Sequence, residues 1–408
     1  MRILVNAFST LGRRTGIGHY TAELLRSLCQ QVEPGEEIAC FPTGPALWLG
    51  RLWAKVRPLL SRGEGGPQGA ASRQRPASIL NRWRAQTLGL ARRFGQGCLA
   101  RNLRQLLARQ QYDLYHEPNA IPLPCDHPTV TTLPDLSVVL HPEWHPAGRV
   151  AYYEEHFLPS LPRSQHFIAI SEFTRQEVLR HLNISPERVT RVYCGIRPDL
   201  CPLPKETTAA TLRQLGLPPQ YLLSVGTIEP RKNLLMLLRA YCSLPEELRC
   251  RWPLLLVGSW GWNSAEVAGF LSAEGKAKGV IHLGYVAEAH LGALYNGARA
   301  LLYPSLYEGF GLPPMEMLAC GGAVLASNID VLVETIGSQA HLTDPNDVDA
   351  WRAALARIVE DEDWWQELRA GAVEAARPYT WDRCASATLQ VYRAVCDRRD
   401  QASFRQAA

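Results

Sequence analysis

Short apolar runs alternate along the chain with longer stretches in which apolar residues recur at helical spacing. The second half shows this most regularly: Ala300–Ser305, for example, predicts a buried strand. Other predicted strands of this half begin at Tyr221, Pro253, Val280 and Gly322. Between two of these strands, Leu234–Tyr241 has the spacing of a helix. Alternating strands and helices favour a parallel sheet with helices on both faces, so we predict an α/β fold.

The first half shows the same alternation and ends in a proline-rich connection. Its predicted strands are Met1–Ala7, Glu37–Phe41, Tyr112–His116, Thr129–Leu133, His166–Ile170 and Val189–Tyr193. After the first strand, a glycine loop with Gly12, Gly16 and Gly18 is predicted to lead into a helix over Tyr20–Gln30. Pro198–Pro204 holds three prolines in seven residues, which favours an extended linker. A chain of 408 residues is long enough for two or three domains. We therefore predict an N-terminal domain over 1–200, a C-terminal domain over 205–380, and a last helical segment over 381–408.

One segment, about 51–110, is strongly basic: it holds thirteen Lys and Arg against the single acid Glu64, although the whole chain has a net charge of only +4. We predict a loop over Arg62–Pro76 and a basic helix over Ile79–Gln110. Large apolar residues such as Trp53 and Trp83 lie among the arginines. This combination favours docking on an anionic membrane surface, and a solvated Arg-rich face is the alternative. No fold that binds nucleic acid is recognisable in the basic run, so we expect no nucleic-acid partner.

The eleven cysteines contain no Cys-x-x-Cys pair and no histidines lie beside them at zinc-ligand spacing, so a reducing compartment and no metal site are expected. The N-terminal residues Met1–Ala7 predict a first strand and not a signal peptide. Because no apolar run reaches about 18 residues, no membrane-spanning helix is expected. We predict a cytoplasmic protein, peripheral at the inner face of the membrane.

The segment Glu308–Glu316 places two carboxylates eight positions apart across a glycine-rich turn between a strand and a helix. Gly311 allows close approach of a ligand to the backbone, and Pro314 suits a first helical turn. The free N–H groups at such a helix start can bind phosphate, while the two carboxylates can accept hydrogen bonds from hydroxyls. Phosphate together with a polyol describes a nucleotide sugar. Alternatively, the carboxylates only complement the helix dipole or face solvent.

A second strand-to-helix junction, Gly226–Asn233, contains the adjacent cations Arg231 and Lys232. A forked guanidinium and an ammonium point charge can bind one diphosphate together. Ligands in open α/β sheets bind at the carboxyl ends of strands, which is where this pair lies. The alternative is a solvated surface pair.

These motifs resemble the retaining nucleotide-sugar glycosyltransferases of family 4 (group 1). The resemblance covers most of the chain and is most specific over residues 220–340, which hold the Glu-x7-Glu and Gly-Thr…Arg-Lys-Asn signatures. The N-terminal Thr15–Thr21 is similar to members that transfer mannose or rhamnose in bacterial surface-polysaccharide assembly. The resemblance implies the GT-B architecture, two Rossmann-like doubly wound domains with the ligand in the cleft between them. It also implies that the terminal helix packs back on the first domain.

The resemblance further implies roles for individual residues. Arg231 and Lys232 would stabilise the leaving diphosphate, and Glu308 would contact sugar hydroxyls. Asp135 would contact the acceptor. The residues implied in donor binding are Gly16, Gly18, Gly226, Thr227, Phe310, Gly311 and Glu316, with Glu316 on the ribose. Neither a cofactor nor a metal is implied. Anomeric configuration would be retained by departure and attack on one face, with the leaving phosphate taking the acceptor proton.

Pro134 departs from the family pattern, in which a histidine precedes Asp135 and lines the donor site. Either His116, His141 or His145 replaces it, or the sugar is held differently, or activity is reduced. Of these, His116 is our choice because it lies at the end of a predicted strand. Its alternative role is structural.

From these features we predict an enzyme that moves a hexose or deoxyhexose from a nucleotide sugar to a lipid-linked or polysaccharide acceptor. GDP-mannose is the favoured donor, and UDP- and dTDP-sugars stay open. A catalytically silent scaffold at the membrane is one alternative, motivated by Pro134. A hydrolase or phosphorylase on the same fold is another.

Overall fold

A computed structural model describes residues 1–12, 16–44 and 97–407, with Leu47 and Gly95 besides, and side chains as far as Arg398. In this part of the chain the strands form two six-stranded sheets in which every neighbouring pair is parallel. Central strands such as Leu254–Val257 are apolar and buried throughout, as expected when helices cover both faces of a parallel sheet. The predicted α/β class is confirmed.

The first sheet has the strand order β2-β1-β3-β4-β5-β6. Its strands are β1 (Arg2–Asn6), β2 (Glu37–Phe41), β3 (Leu114–Glu117), β4 (Thr129–Leu133), β5 (His166–Ala169) and β6 (Val189–Arg191). Its helices are α1 (Gly16–Gln31), α2 (97–110), α3 (Ser137–Leu140), α4 (Ala147–Ser160) and α5 (Glu172–His181). Gly16 and Gly18, expected in a loop, form the first turn of α1.

The second sheet has the order β12-β11-β10-β7-β8-β9. Its strands are β7 (Leu222–Val225), β8 (Leu254–Val257), β9 (Val280–Gly284), β10 (Ala300–Tyr303), β11 (Ala323–Ser327) and β12 (His341–Thr343). Its helices are α6 (Lys205–Gln214), α7 (Leu234–Cys242), α8 (Glu246–Arg251), α9 (Ala265–Phe270), α10 (Glu288–Gly297), α11 (Leu312–Ala319), α12 (Asp330–Thr335), α13 (Val348–Glu360), α14 (Glu362–Arg369) and α15 (Ala372–Ala376). The short edge strand β12 was not predicted.

The last helix, α16 (Trp381–Ala407), leaves the second domain and packs on α1 of the first. Ser27 Oγ donates to Asp382 Oδ1 at 2.5 Å, and the rings of Tyr20 and Trp381 meet edge to face with centroids 5.7 Å apart. Arg393, near the middle of the helix, donates to Glu33. Contacts along the first half of α16 therefore tie the first domain to the C-terminal segment of the chain.

Only the end of the basic segment is described. Leu103 and Leu107 of α2 pack in a core cluster with Phe41, so this part of the segment is anchored to the first sheet. Residues 51–94, which hold the predicted loop and the apolar residues expected to enter a membrane, lie outside the described residues. None of the helices within the described ranges is long and apolar enough to cross a membrane.

Candidate active site

The connection after β7 brings Arg231 and Lys232 side by side at the carboxyl end of the strand. The chain makes a 3-10 turn over Pro230–Lys232, and Asn233 then takes a left-handed conformation with φ of 53°. Asn233 is one of the residue types that tolerate this region, and α7 begins directly after it. At Gly226 an added Cβ would lie 3.5 Å from Lys232 Cε, so the lysine stem runs along the glycine backbone.

The connection after β10 carries Glu308 to the same place. Gly311 caps α11 with φ of 92°, and a Cβ there would lie 2.6 Å from Leu332 Cδ2. Glycine is therefore required for both conformation and space. Phe310 is buried, with its ring near those of Tyr193 and Tyr379. These contacts pack the Phe310 side chain beside the turn.

The two connections meet in a cluster of four charged side chains. Arg231 Nη1 donates to Glu308 Oε2 at 2.6 Å, and Arg231 Nε lies 2.6 Å from Glu229 Oε1. Lys232 Nζ donates to the other oxygen of Glu308 and to the Tyr303 hydroxyl, the latter at 2.9 Å. The structure thus brings together three residues that the motifs predicted and adds Glu229 and Tyr303. Glu229 lies within the predicted junction Gly226–Asn233. Its negative charge close to Arg231 and Lys232 in the sequence was the one signal that could have suggested an ion pair with them.

Burial makes the electrostatics of this cluster strong. Burial by itself would raise the pKa of Glu308, but the charges of Arg231 and Lys232 outweigh it and set the pKa to about 2. For Lys232, burial and the neighbouring Arg231 lower the pKa. With Glu229 also present, two cations face two carboxylates. The two positive charges of the cluster are therefore balanced by two negative ones without a ligand.

Glu316 lies on α11 in a different environment. Its Oε2 accepts a hydrogen bond of 2.7 Å from the Tyr295 hydroxyl. Burial raises the pKa of Glu316, and this hydrogen bond and the charge of Arg197, the residue directly before the linker, oppose the increase. Arg197 in turn lies 3.3 Å from Glu288, which is 3.4 Å from His19 of α1. Through these contacts, helix α1 of the first domain, which begins at Gly16, lies close to the predicted ribose site around Glu316.

The loop after β4 forms the facing side of the cleft. Asp135 Oδ1 accepts hydrogen bonds from the backbone and hydroxyl of Ser137, at 2.9 and 2.7 Å. A Cβ on Gly309 would lie 1.8 Å from the Pro134 carbonyl oxygen, so the loop lies directly against the segment that carries Glu308. The Tyr307 hydroxyl accepts from Leu136 N at 3.1 Å. The predicted acceptor residue and the predicted donor residues therefore face one another across the two domains.

His116 is the residue that we chose from the sequence to replace the missing histidine. It is buried on β3, and its hydrogen bonds go to residues outside the charged cluster. Its Nε2 pairs with Thr132 Oγ1 at 2.8 Å and its Nδ1 with the Tyr392 hydroxyl at 2.5 Å. Burial lowers its pKa to about 3. Since both ring nitrogens have partners in the core, this histidine has none to offer a ligand in this structure, and its contacts are structural.

No group of three or more His, Cys, Asp or Glu side chains placed to hold a metal ion occurs in the described ranges.

Thr227 precedes the charged turn, and its methyl carbon would lie 2.8 Å from a Cβ on Gly261. Its predicted contact with the donor stays a prediction, as do those of Gly16, Gly18 and Gly226.

Two family models match this chain. The model described as Glycosyltransferase Family 4 matches residues 59–200, and that described as Glycosyl transferases group 1 matches 212–378, the region that holds the charged cluster. The chain belongs to this family of glycosyltransferases, and the resemblance seen in its motifs is confirmed.

Individual relatives of this chain are also glycosyltransferases, and solved structures share its fold. The O-antigen chain mannosyltransferase B of Escherichia coli is 37% identical over 295 residues, which cover 71% of this chain and 77% of that protein. The serotype-specific mannosyltransferase WbdA of Escherichia coli is 31% identical over 271 residues. The aligned region covers 64% of this chain but only 33% of WbdA. Among solved structures, the sucrose-phosphate synthase from Thermosynechococcus elongatus superposes with a TM-score of 0.69 over 97% of this chain and 99% of that one, at 20% identity. The GT-B fold is confirmed.

Proposed function

We propose that this glycosyltransferase transfers mannose from GDP-mannose to a polysaccharide or lipid-linked acceptor, with retention of anomeric configuration. The observation that carries the proposal is the buried meeting of Arg231 and Lys232 with Glu308 at the carboxyl ends of β7 and β10. The names of the relatives support mannose and a bacterial O-antigen chain as donor sugar and acceptor class. A related deoxyhexose is the next choice of sugar.

The chemistry follows from the charges. In the reaction, the bond between the anomeric carbon and the phosphate oxygen breaks, a bond from the acceptor oxygen to that carbon forms, and the acceptor proton passes to the leaving phosphate. Negative charge develops on the diphosphate, where Arg231 and Lys232 stabilise it. Glu308 is the anion that these cations bind in the free protein. When the diphosphate takes over that role, the Glu308 carboxylate is free to accept hydrogen bonds from sugar hydroxyls.

We also propose that transfer needs no metal, because the two cations can supply the positive charge that a divalent ion would otherwise bring. Docking on an anionic membrane face, with the acceptor embedded there, is supported by the thirteen basic residues of the segment 51–110 and the apolar residues among them.

The test is a binding and transfer scan with GDP, UDP, ADP and dTDP and their mannose, rhamnose and glucose derivatives. We expect micromolar binding of GDP and transfer of mannose from GDP-mannose. NMR of the product should show that the α-configuration of the donor is retained. Excess EDTA should leave the rate unchanged. Failure to bind any nucleotide would refute the proposal and favour a scaffold. Release of free sugar without an acceptor would favour a hydrolase.

The site assignment has its own variant pair. Arg231→Ala removes a charge-assisted contact worth about 1.5–3 kcal/mol, so GDP affinity should fall by about 10–150-fold. Arg239→Ala is the matched control, because Arg239 is an exposed arginine on the neighbouring helix α7. Equal affinities for GDP in the two variants would show that the diphosphate binds elsewhere.

A further inference from the structure

His145 is a buried polar side chain that no step proposed so far uses. It lies in the segment between the turn Pro142–Trp144 and α4, and its exposed fraction is 6%. Neither ring nitrogen has a hydrogen-bond partner, and both are shielded from solvent. The Ser137 backbone is near the ring but does not meet hydrogen-bond geometry. Because an unpaired buried polar group is costly, such an imidazole needs an explanation.

The surroundings of His145 belong to both domains. The ring of Trp262, from the second domain, lies 5.8 Å away between centroids, and Trp262 Nε1 donates to the Trp144 carbonyl at 2.9 Å. The charges that act on the imidazole come from Arg149, Asp135 and Arg231. His145 therefore lies at the junction between the domains, within the electrostatic reach of the cluster assigned to the diphosphate.

The imidazole is neutral in this place. Burial, followed by the charge of Arg149, lowers its pKa to about 4, with Asp135 opposing and Arg231 adding to the decrease. A neutral ring presents one N–H donor and one acceptor. That pair matches a hydroxyl group, which can accept and donate at once, and it does not match a phosphate, which offers only acceptors at neutral pH.

The other two histidines in question are occupied. Both nitrogens of His116 are bonded in the core. His141 stacks on Trp144 at 4.0 Å and lies 3.4 Å from Glu143. Only His145, of these three, combines a place at the domain junction with two unused ring nitrogens.

We infer that His145 binds a hydroxyl group of the transferred sugar and so helps to select and orient the donor. The inference rests on the proposed function, since it assumes a sugar beside the diphosphate held by Arg231. The ring nitrogens are covered in this conformation, so the donor reaches them when the domains separate and the junction closes again over the bound sugar. Trp262 then forms one wall of the sugar subsite, and the hydroxyl supplies the hydrogen bonds that the imidazole lacks.

The experiment compares His145→Ala with wild type on GDP-mannose and on its 2-, 3-, 4- and 6-deoxy analogues. Loss of a buried hydrogen bond to a neutral partner predicts a kcat/KM about 5–30-fold lower for GDP-mannose. For the analogue that lacks the partner hydroxyl, the same substitution should change kcat/KM by less than about twofold, because the bond is already absent. His145→Asn keeps one donor and one acceptor and should recover part of the loss.

Two controls separate this role from packing. Truncation of this buried ring leaves a cavity and should lower the melting temperature of His145→Ala, but its GDP affinity should be unchanged, and His181→Ala, at an exposed histidine of the same domain, should have wild-type kinetics. Equal losses on all analogues, with GDP affinity falling in parallel, would overturn the inference and leave a packing residue. Unchanged kinetics would also overturn it while the proposed function stands. Absence of wild-type transfer from GDP-mannose would overturn the proposed function itself, and the inference with it.

Discussion

Glu308→Gln removes one negative charge from the cluster and keeps the shape of the side chain. In the free protein, Glu308 binds both Arg231 and Lys232. The variant leaves Arg231 its contact with Glu229 at 2.6 Å, but Lys232 keeps only the Tyr303 hydroxyl among these partners. We expect a less stable protein whose two cations are more available to an added anion.

The pKa of Glu308 gives the size of the effect on stability. Its decrease from 4.5 to about 2 corresponds to about 3 kcal/mol of favourable interaction with the ionised form. Breaking a buried ion pair by removing one partner costs about 3–5 kcal/mol, which is consistent. Because glutamine can still accept a hydrogen bond, we expect the free energy of unfolding to fall by about 2–4 kcal/mol.

The same pKa sets the pH dependence. A carboxylate whose pKa is lower in the folded state contributes its full stability above its ordinary pKa, here about 4.5, and loses it as the pH falls towards about 2. The difference in stability between wild type and Glu308→Gln should therefore be constant at neutral pH and shrink through this acidic range.

Affinity and turnover should move in opposite directions. With the internal anion gone, GDP no longer competes with it, and we expect binding tighter by about tenfold, equal to about 1.4 kcal/mol. Transfer should fall at least about tenfold, because the sugar loses a charged acceptor for its hydroxyls.

The assays are urea denaturation followed by tryptophan fluorescence, calorimetric titration with GDP, and transfer from the donor that wild type uses. Glu374→Gln is the matched control, since its ion pair with Arg377 is exposed on both sides and should contribute little. Wild-type stability in Glu308→Gln would refute the electrostatic argument. Weaker GDP binding would refute the idea that Glu308 and the diphosphate share the two cations.

Two further predictions concern the contact between the domains and the core histidine. Gly309→Ala places a Cβ 1.8 Å from the Pro134 carbonyl oxygen, so the contact between the two domains should open. We expect a larger radius of gyration by small-angle scattering and a transfer rate lowered at least about tenfold. Gly269→Ala is the control, because a Cβ there meets open space, and it should match wild type in both measurements. Tyr392→Phe removes the hydroxyl bonded to His116 and should lower the free energy of unfolding by about 1–2 kcal/mol with kcat unchanged; a drop in kcat at unchanged stability would return His116 to the active site.

The strands and the charged motifs were predictable because their information is local. The run of Leu254–Val257 is buried on both faces, and such runs show their burial in their composition. Arg231 and Glu308 lie in the connections after β7 and β10, and the connections that follow parallel strands all begin at the carboxyl edge of the sheet. Where local signals were weak, the predictions missed: β12 has only three residues, and Gly16 and Gly18 look like a loop although they begin a helix.

By itself, the sequence determined the α/β class, the two domains, the family and the residues expected at the diphosphate and the sugar. The tertiary structure alone decided which partners those residues have. Glu229 completes the charged cluster, His116 belongs to the core through Tyr392, 276 positions away, and His145 meets Trp262 of the other domain. The reason is physical: periodicity records whether a side chain is buried, but the identity of its neighbour depends on how distant elements pack. A histidine is the same residue in a motif whether its nitrogens are bonded in a core or free at a domain junction.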